Sequence, residues 1–219
     1  MDTRNETITD PGLWNEKAVA VTVKATKMLW GKHNESIQAW LFESGFAIKT
    51  LKEAFIGWQV RNTRRPADSW GTQGVDKILL PEGLTIPVIR DKELKRVVIF
   101  RMGHGHDGEY HTVEGSDAVP LVLSGTTRRT VLVRRELDAL LLHQELNNQW
   151  TVVASGDLPQ GALATAFQGA EELRVLAMDS DAEALSPVET ATPVPVKGTS
   201  LVELARKGLL ADTLASAFK

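Results

Sequence analysis

TVLVRRELDALLLHQELNNQWTVVASGDLPQGALATAFQGAEELRVLAMDSD, from Thr130 to Asp181, is the stretch that decides how this chain folds. It holds three short apolar or β-branched runs, Thr130 to Val133, Trp150 to Ala154 and Leu173 to Met178, separated by two helix-like segments. Strands that alternate with helical patterns imply parallel βαβ units, because a parallel neighbour needs a crossover long enough to return along the sheet. The first of the two segments predicts a helix over Leu137 to Leu146 that carries Leu137, Leu140, Leu141 and Leu142 inward.

In such sheets the ligand-binding groups stand just past the carboxyl ends of the strands. Asp179 and Asp181 come directly after the third run, and Glu136 and Asp138 lie at the exit of the first. Carboxylates converging from two strand ends suit Mg²⁺, which takes oxygen ligands in an octahedron and keeps waters for substrate phosphates to replace. The other reading of the same residues is structural: Asp138 caps the helix, and Asp179 and Asp181 form a polar turn.

The order strand, Glu136-Leu137-Asp138-Ala139-Leu140-Leu141-Leu142 helix, strand, helix, and a strand ending in Asp179-Ser180-Asp181 resembles the toprim domain of bacterial-type DNA primases and topoisomerases. Upstream, Trp40 to Phe46, Thr50 to Trp58, Ile86 to Asp91 and Tyr110 to Leu123 are similar, in order, to the segment that precedes toprim in primases of plasmids, phages and integrated elements. The resemblance implies an α/β fold: a toprim, Rossmann-like βαβ parallel sheet, preceded by a helical region and a mixed antiparallel primase-type subdomain. The expected parts are helices over 1–57, a basic mixed subdomain over 58–128, toprim over 129–183, a linker over 184–198 and carboxy-terminal helices over 199–219.

The resemblance also implies work on a single-stranded DNA template and nucleotides in DNA replication, with Mg²⁺ or Mn²⁺ held by Asp179 and Asp181. A replicative helicase and a separate zinc-binding module are the partners it suggests. In the family the first toprim strand ends in a reactive glutamate, with an acid four positions later. Matching Asp138 to that acid sets Arg134 at the glutamate position, and a guanidinium neither coordinates a cation nor accepts a proton. The expected function is therefore a primase-like, nucleic-acid-binding protein with an impaired catalytic site. The alternatives are an active Mg²⁺-dependent primer nucleotidyltransferase using Glu136, through a two-residue slip, with Asp138, Asp179 and Asp181, and a toprim nuclease or topoisomerase relative. A second departure is Glu109, where family primases tend to carry a base before the residue matched by Tyr110.

Composition bounds these expectations. The chain has 219 residues and a net charge of −3, but residues 58–135 hold 13 Lys and Arg against 9 Asp and Glu, so a nucleic-acid surface belongs there. Its candidates are Arg61, Arg64 and Arg65 in a polar stretch, Arg90, Arg96 and Arg101 on two strand patterns, and Tyr110. There is no cysteine, which excludes disulfides and cysteine-bound zinc. No run approaches the ~18 apolar residues of a membrane span, and the acidic start lacks a signal peptide's pattern, so a cytoplasmic protein is expected.

Asp10-Pro11 opens a helix in which Trp14, Ala18, Val21, Ala25 and Leu29 recur at helical spacing up to Gly31. A second helix spans Glu35 to Glu43, and Thr50 to Glu53 has capping-box spacing for a third that buries Leu51 and Phe55. The tryptophans read as packing rather than as base-stacking platforms. Leu84 to Arg90 and Leu94 to Met102 read as a hairpin, with Pro87 confined to an edge or bulge. His104, His106 and His111 have metal-ligand spacing, but their glycine-rich setting reads as an exposed hairpin tip. Ala184 to Gly198 reads as an extended linker. Leu201, Leu204, Leu209, Leu210 and Leu214 then form a packing face, with a partner-binding helix as the alternative.

Overall fold

Asp10 sets the first helix. In the computed structural model, which describes residues 7–103, 109–179, 191–198 and 200–218, α1 (Pro11–Leu29) comes after a two-residue strand β1 (Thr7–Ile8). The Asp10 carboxylate accepts from the Leu13 N–H at 3.0 Å, and Pro11 occupies the first turn, where a missing N–H costs nothing. The buried face of α1 is Trp14, Ala18, Thr22, Ala25 and Leu29, four of them on the predicted stripe, with Thr22 buried where Val21 was expected and Val21 only partly buried. α2 (Glu35–Glu43) also runs as expected.

α3 (Ile48–Glu53) does not: it begins before Thr50, which is therefore inside the helix rather than at its cap. The Thr50 hydroxyl donates instead to Gln144 Oε1 at 2.8 Å. Leu51 is buried, but the chain turns at Phe55 with φ +52°, and that ring is 51% exposed rather than packed.

The chain divides into two compact units, one of Met1–Gln38 with Leu51–Ala118, the other of Ala39–Thr50 with Val119–Lys219. In the first, β2 (Gly57–Gln59), β3 (Thr63–Pro66), β4 (Thr72–Gln73), β5 (Lys77–Leu80), β6 (Gly83–Arg90), β7 (Glu93–Arg101) and β8 (Glu109–Thr112) form antiparallel sheets. The largest has the order β2-β6-β7-β8, with β3 paired to β5 and β1 to β4. β6 and β7 are joined at Asp91-Lys92, both at positive φ (54° and 66°), the mirror-image turn whose twist matches the strands it connects. Pro87 lies opposite Val97, beyond the end of β2 and next to a register shift at Val88/Ile89, so its missing N–H removes no ladder bond on the β2 side. Residues 61–74 are more ordered than their polar composition suggests: they hold β3, a 3-10 turn at Asp68–Trp70, and β4. Trp14 and Trp70 pack with Ile78, Leu80, Val97 and Ile99, and the Trp14 indole donates to the Glu114 carbonyl at 2.9 Å, as expected of core tryptophans.

The second unit contains β9 (Leu121–Leu123), β10 (Arg129–Val133), α4 (Glu136–Glu145), β11 (Thr151–Ala154), β12 (Glu172–Met178), β13 (Thr192–Val196), α5 (Leu201–Arg206) and α6 (Leu210–Ala217). Its sheet has the order β13-β12-β10-β11-β9. β10 pairs in parallel with both β11 and β12, the arrangement its alternating runs imply. Leu132, Val153 and Val175 share one face under Leu158, Leu163 and Phe167. Their neighbours Val131, Val133, Val152 and Ala154 therefore face the other way, toward α4, and all four are buried. Strands covered on both faces carry continuous apolar runs, which is why these read so clearly in the sequence.

Two expectations fail in this unit. The second crossover is not an α-helix but two 3-10 turns, Gln160–Ala162 and Ala164–Phe167, because Gly156, Pro159, Gly161 and Gly169 interrupt any longer run. The stretch read as a linker contributes β13, an added parallel strand along β12 from Arg174↔Thr192 to Met178↔Val196. Its prolines are tolerated because β13 is the edge: Pro193 and Pro195 alternate with Val194 and Val196, and prolines that face outward forfeit no ladder bond.

Gln144 on α4 ties Ala39–Thr50 into this unit by accepting from Ala47 N and Thr50 Oγ1 at 2.8 Å each and donating to Gly45 O at 2.9 Å. Ser200 caps α5 by accepting from Glu203 N at 3.0 Å. Leu201, Leu204, Leu210 and Leu214 are buried as predicted, but Leu209, at the joint between α5 and α6, is 48% exposed. The Arg174 guanidinium lies 5.1 Å from the Trp150 ring and 5.6 Å from that of Phe218, and its Nη1 donates to the Ala217 carbonyl, which anchors α6. Among the described residues no helix is long and apolar enough to cross a membrane.

At Gly57 a Cβ would lie 2.5 Å from the Ala25 carbonyl carbon and the Thr26 nitrogen, both backbone atoms that cannot step aside. Gly57→Ala is expected to destabilise the protein by about 1–3 kcal/mol by forcing β2 off α1. Gly161→Ala, which meets nothing within 4 Å, is expected to stay within about 0.5 kcal/mol. Urea unfolding monitored by circular dichroism separates the two, and equal midpoints would contradict the packing argument.

Candidate functional site

Three parallel strands end side by side, and the residues just past their carboxyl ends make up the site. β10 and β12 are in register from Arg129↔Glu172 to Leu132↔Val175, so the residues leaving them emerge as neighbours. β11 extends its pairing past its last strand residue: Ser155 N donates to Val133 O at 3.0 Å and Gly156 N to Arg134 O at 2.7 Å. Arg134, Asp157 and Asp179 thus lie just beyond adjacent strand ends, where α/β sheets bind ligands.

Arg134 is the first residue after β10. Its Nη2 lies 3.4 Å from Asp157 Oδ1, with the two side chains 34% and 76% exposed. An ion pair this exposed contributes only about 0–1 kcal/mol, so the pair does little for stability. Asp157 is a residue the sequence reading missed. The signal was present, since Ser155-Gly156-Asp157 is the exit of the second run and the logic applied to the other two strand ends applies to it equally.

Asp179 is exposed. Its Oδ2 accepts from the Gly198 N–H at 3.0 Å, and its own N–H donates to the Gly198 carbonyl at 3.2 Å, which ties the exit of β12 to that of β13. Asp181 lies outside the described residues, as do His104 and His106.

Glu136 and Asp138 occupy the first turn of α4, and both are buried, at 2% and 3% exposure. Carboxylates suit that position because the helix dipole places positive potential there. Asp138 is engaged structurally: Oδ1 accepts from the Val202 N–H at 3.2 Å, and Oδ2 lies 3.9 Å from Arg135 Nη1. It joins the start of α5 to the start of α4. Glu136 is the first residue of α4, two positions beyond Arg134.

Mg²⁺ is bound by one or more carboxylates with open positions for water and phosphate. Here the residue leaving the central strand is a guanidinium, one nearby acid receives a backbone N–H from another helix, and Asp179 receives one from Gly198. Among the described residues no group of three or more His, Asp or Glu could hold a metal ion. Asp181 lies outside the described residues, and the described strand-end residues do not by themselves make up a divalent-cation site, so no chemical step is derived through one.

The basic candidates separate by burial. Arg61, Arg64 and Arg65 are exposed on and beside β3. Arg90 is exposed at the end of β6, with its Nε 4.0 Å from Asp91 Oδ2. Arg96, expected at the surface, is instead 1% exposed, on β7 opposite Val88. Arg101 is paired with Glu109 across the β7–β8 ladder, so this base is offset by a neighbouring acid. Tyr110 stands opposite Phe100, with ring centroids 4.9 Å apart. His111 Nε2 lies 3.1 Å from the Leu79 carbonyl and 3.8 Å from Glu114 Oε2, a protein-bound arrangement within its unit.

No family model matches the sequence, and no curated protein matches it. Solved structures do. The chain is similar to the RNA polymerase domain of Mycobacterium tuberculosis primase DnaG in complex with double-stranded DNA, at 12% identity and a TM-score of 0.67, over 94% of this chain and 81% of that one. A DnaG primase catalytic domain bound to single-stranded DNA matches at 12% identity and a TM-score of 0.65, over 94% and 81%. The E. coli primase catalytic core matches at 11% identity and a TM-score of 0.63, over 94% and 79%. At these identities the likeness is one of fold, and the fold is that of a primase catalytic core: an α/β toprim-type parallel sheet together with antiparallel sheets.

Asp138→Ala removes the buried acceptor of Val202 N–H and the partner of Arg135, and a loss of about 2–4 kcal/mol in unfolding free energy is expected. Asp138→Asn keeps an acceptor oxygen and should lose less. Equal losses in chemical denaturation would show that the carboxylate's charge, not its hydrogen bond, holds α5.

Proposed function

We propose that this chain is a primase-like protein that binds nucleic acid in the DNA replication of a plasmid, phage or integrated element, with its metal-dependent catalytic site impaired. The observation that carries this reading is Arg134 at the exit of the central parallel strand, with its guanidinium against Asp157. The resemblance puts a reactive glutamate at that position, and a cation that cannot be deprotonated supplies neither metal ligation nor general-base chemistry. In this reading Arg134 substitutes for the missing metal by offsetting the charge of Asp179 and Asp181. The likeness to primase cores solved with DNA supports the nucleic-acid role. Arg61, Arg64, Arg65, Arg90 and Arg101, with Tyr110, are the candidate contacts to a single-stranded template. A replicative helicase and a separate zinc-binding module are the proposed partners.

Two experiments decide it. In a template-directed incorporation assay with labelled nucleotides and Mg²⁺ or Mn²⁺, the unaltered chain is expected to make no product. Calorimetric titration with Mn²⁺ is expected to detect no site in the unaltered chain and a new one in Arg134→Glu. Primer synthesis by the unaltered chain that is lost in Asp179→Ala would overturn the impaired-site reading in favour of an active nucleotidyltransferase using Glu136, Asp179 and Asp181.

Binding itself is tested by salt dependence. Single-strand affinity should fall with log[salt] at a slope of about −0.7 per phosphate contact, and Arg64→Glu with Arg90→Glu should flatten that slope by roughly one to two contacts. An unchanged slope would remove β3 and β6 from the nucleic-acid surface.

A further inference from the structure

Beside α1 the first unit carries a groove whose apolar lining the nucleic-acid reading leaves unused, although that reading shares two of its rim cations, Arg61 and Arg65. β2 is pressed against α1 at Gly57, and the next segment of chain, Val60 to Arg65, forms the far wall. The apolar lining is Val21, Met28 and Leu80, with Val60 at the edge, and the volume is about 190 Å³. Pockets for cofactors and other small molecules typically run to about 300–1,000 Å³, so this one is the size of a side chain rather than of a nucleotide.

Its rim is cationic. Lys24, Arg61 and Arg65 line it, and no acid is among the described residues that do. All three are exposed, and none has an ion pair with a described residue. β3 determines which arginines take part: successive side chains on a strand point to opposite faces, so Thr63 and Arg65 line the groove while Arg64 points away from it. The wall is braced, since Gln59 Nε2 donates to Arg61 O at 2.9 Å and to Thr63 Oγ1 at 3.2 Å. Val60 remains 39% exposed at its edge.

An aliphatic slot ringed by uncompensated cations fits an acidic segment with an apolar anchor better than it fits a nucleic-acid strand. Bases bind by stacking on open aromatic faces, and the one aromatic lining this groove, Trp58, is 7% exposed. Anchor-in-pocket recognition with carboxylates against an arginine cluster is a recurring peptide mode. We propose that this groove docks a short acidic peptide segment of a partner protein, with one aliphatic or aromatic side chain seated on Val21, Met28 and Leu80 and flanking carboxylates on Lys24, Arg61 and Arg65.

The test is fluorescence anisotropy on the full chain with a labelled decapeptide of Asp and Glu that carries a central Leu-Phe. Saturable binding at physiological salt is expected. Replacing Leu-Phe by Ser-Ser, or making Val60→Asp or Arg61→Glu with Arg65→Glu, should each weaken it by ~10-fold or more, the equivalent of ~1.4 kcal/mol. These variants change exposed side chains, and circular dichroism checks that each is folded. Val60→Asp should leave the affinity for oligothymidylate unchanged, because DNA would share only the rim arginines and not the apolar lining. The proposal is overturned if no saturable binding occurs, or if the Ser-Ser peptide binds as well, which would mean unspecific charge attraction. It is also overturned if oligothymidylate displaces the peptide and Val60→Asp loses DNA affinity, because the groove would then belong to the nucleic acid.

Discussion

The structure of the second unit depends on one constraint: β10 is hydrogen-bonded in parallel to a strand on each side and covered on both faces. A parallel strand cannot pair with its neighbour through a tight turn, so each crossover must travel along a face of the sheet, and that travel is what buries the strand. α4 covers one face, and the irregular segment around Leu158, Leu163 and Phe167 covers the other. Because β10 has no freedom to slide without exposing its apolar residues, the residue that leaves its carboxyl end has a fixed place. That residue is Arg134.

The chemistry of the strand ends depends on what each acid is already doing. Asp138 holds the backbone of α5, and Asp179 holds the backbone of Gly198. A carboxylate committed to an N–H can still meet a cation with its second oxygen, but its orientation is then set by the protein rather than by the ion. The residue that leaves the central strand is Arg134, whose guanidinium is a fixed positive charge that deprotonation does not remove. A primase-type fold is therefore compatible with more than one chemistry at this place, because function resides in the site carried by a fold and not in the fold.

Charge on the first unit is also less uniform than a residue count implies. Of the bases on the β6–β7 hairpin, Arg96 is enclosed, Arg101 is matched by Glu109, and Arg90 stands exposed near Asp91. The exposed cations without an ion partner among the described residues include Arg61 and Arg65, on or beside β3. Strand periodicity then divides even this short basic run between two faces, which allows one cluster of arginines to serve two surfaces.

Much of the architecture was legible in the residues. The three buried strands, α1 with its Asp10 cap, α2, α4 and the β6–β7 hairpin all arise from local signals: continuous apolar runs, a stripe at 3.6-residue spacing, and turn residues at fixed offsets. Arg134 and Asp179 at the strand ends were legible too, because strand order and direction already imply which ends are neighbours, whereas Asp157 at the third end was missed. What the tertiary structure decided is everything that depends on partners distant in sequence. Thr50 answers to Gln144 and not to a helix cap, and Asp138 answers to Val202. Arg134 meets Asp157, Arg96 is enclosed, and a proline-rich stretch becomes an edge strand because β12 offers it a ladder. Local sequence sets which backbone shapes are cheap, but the partner of a polar side chain is chosen by which distant segment packing brings within hydrogen-bonding reach, and no window of neighbouring residues contains that information.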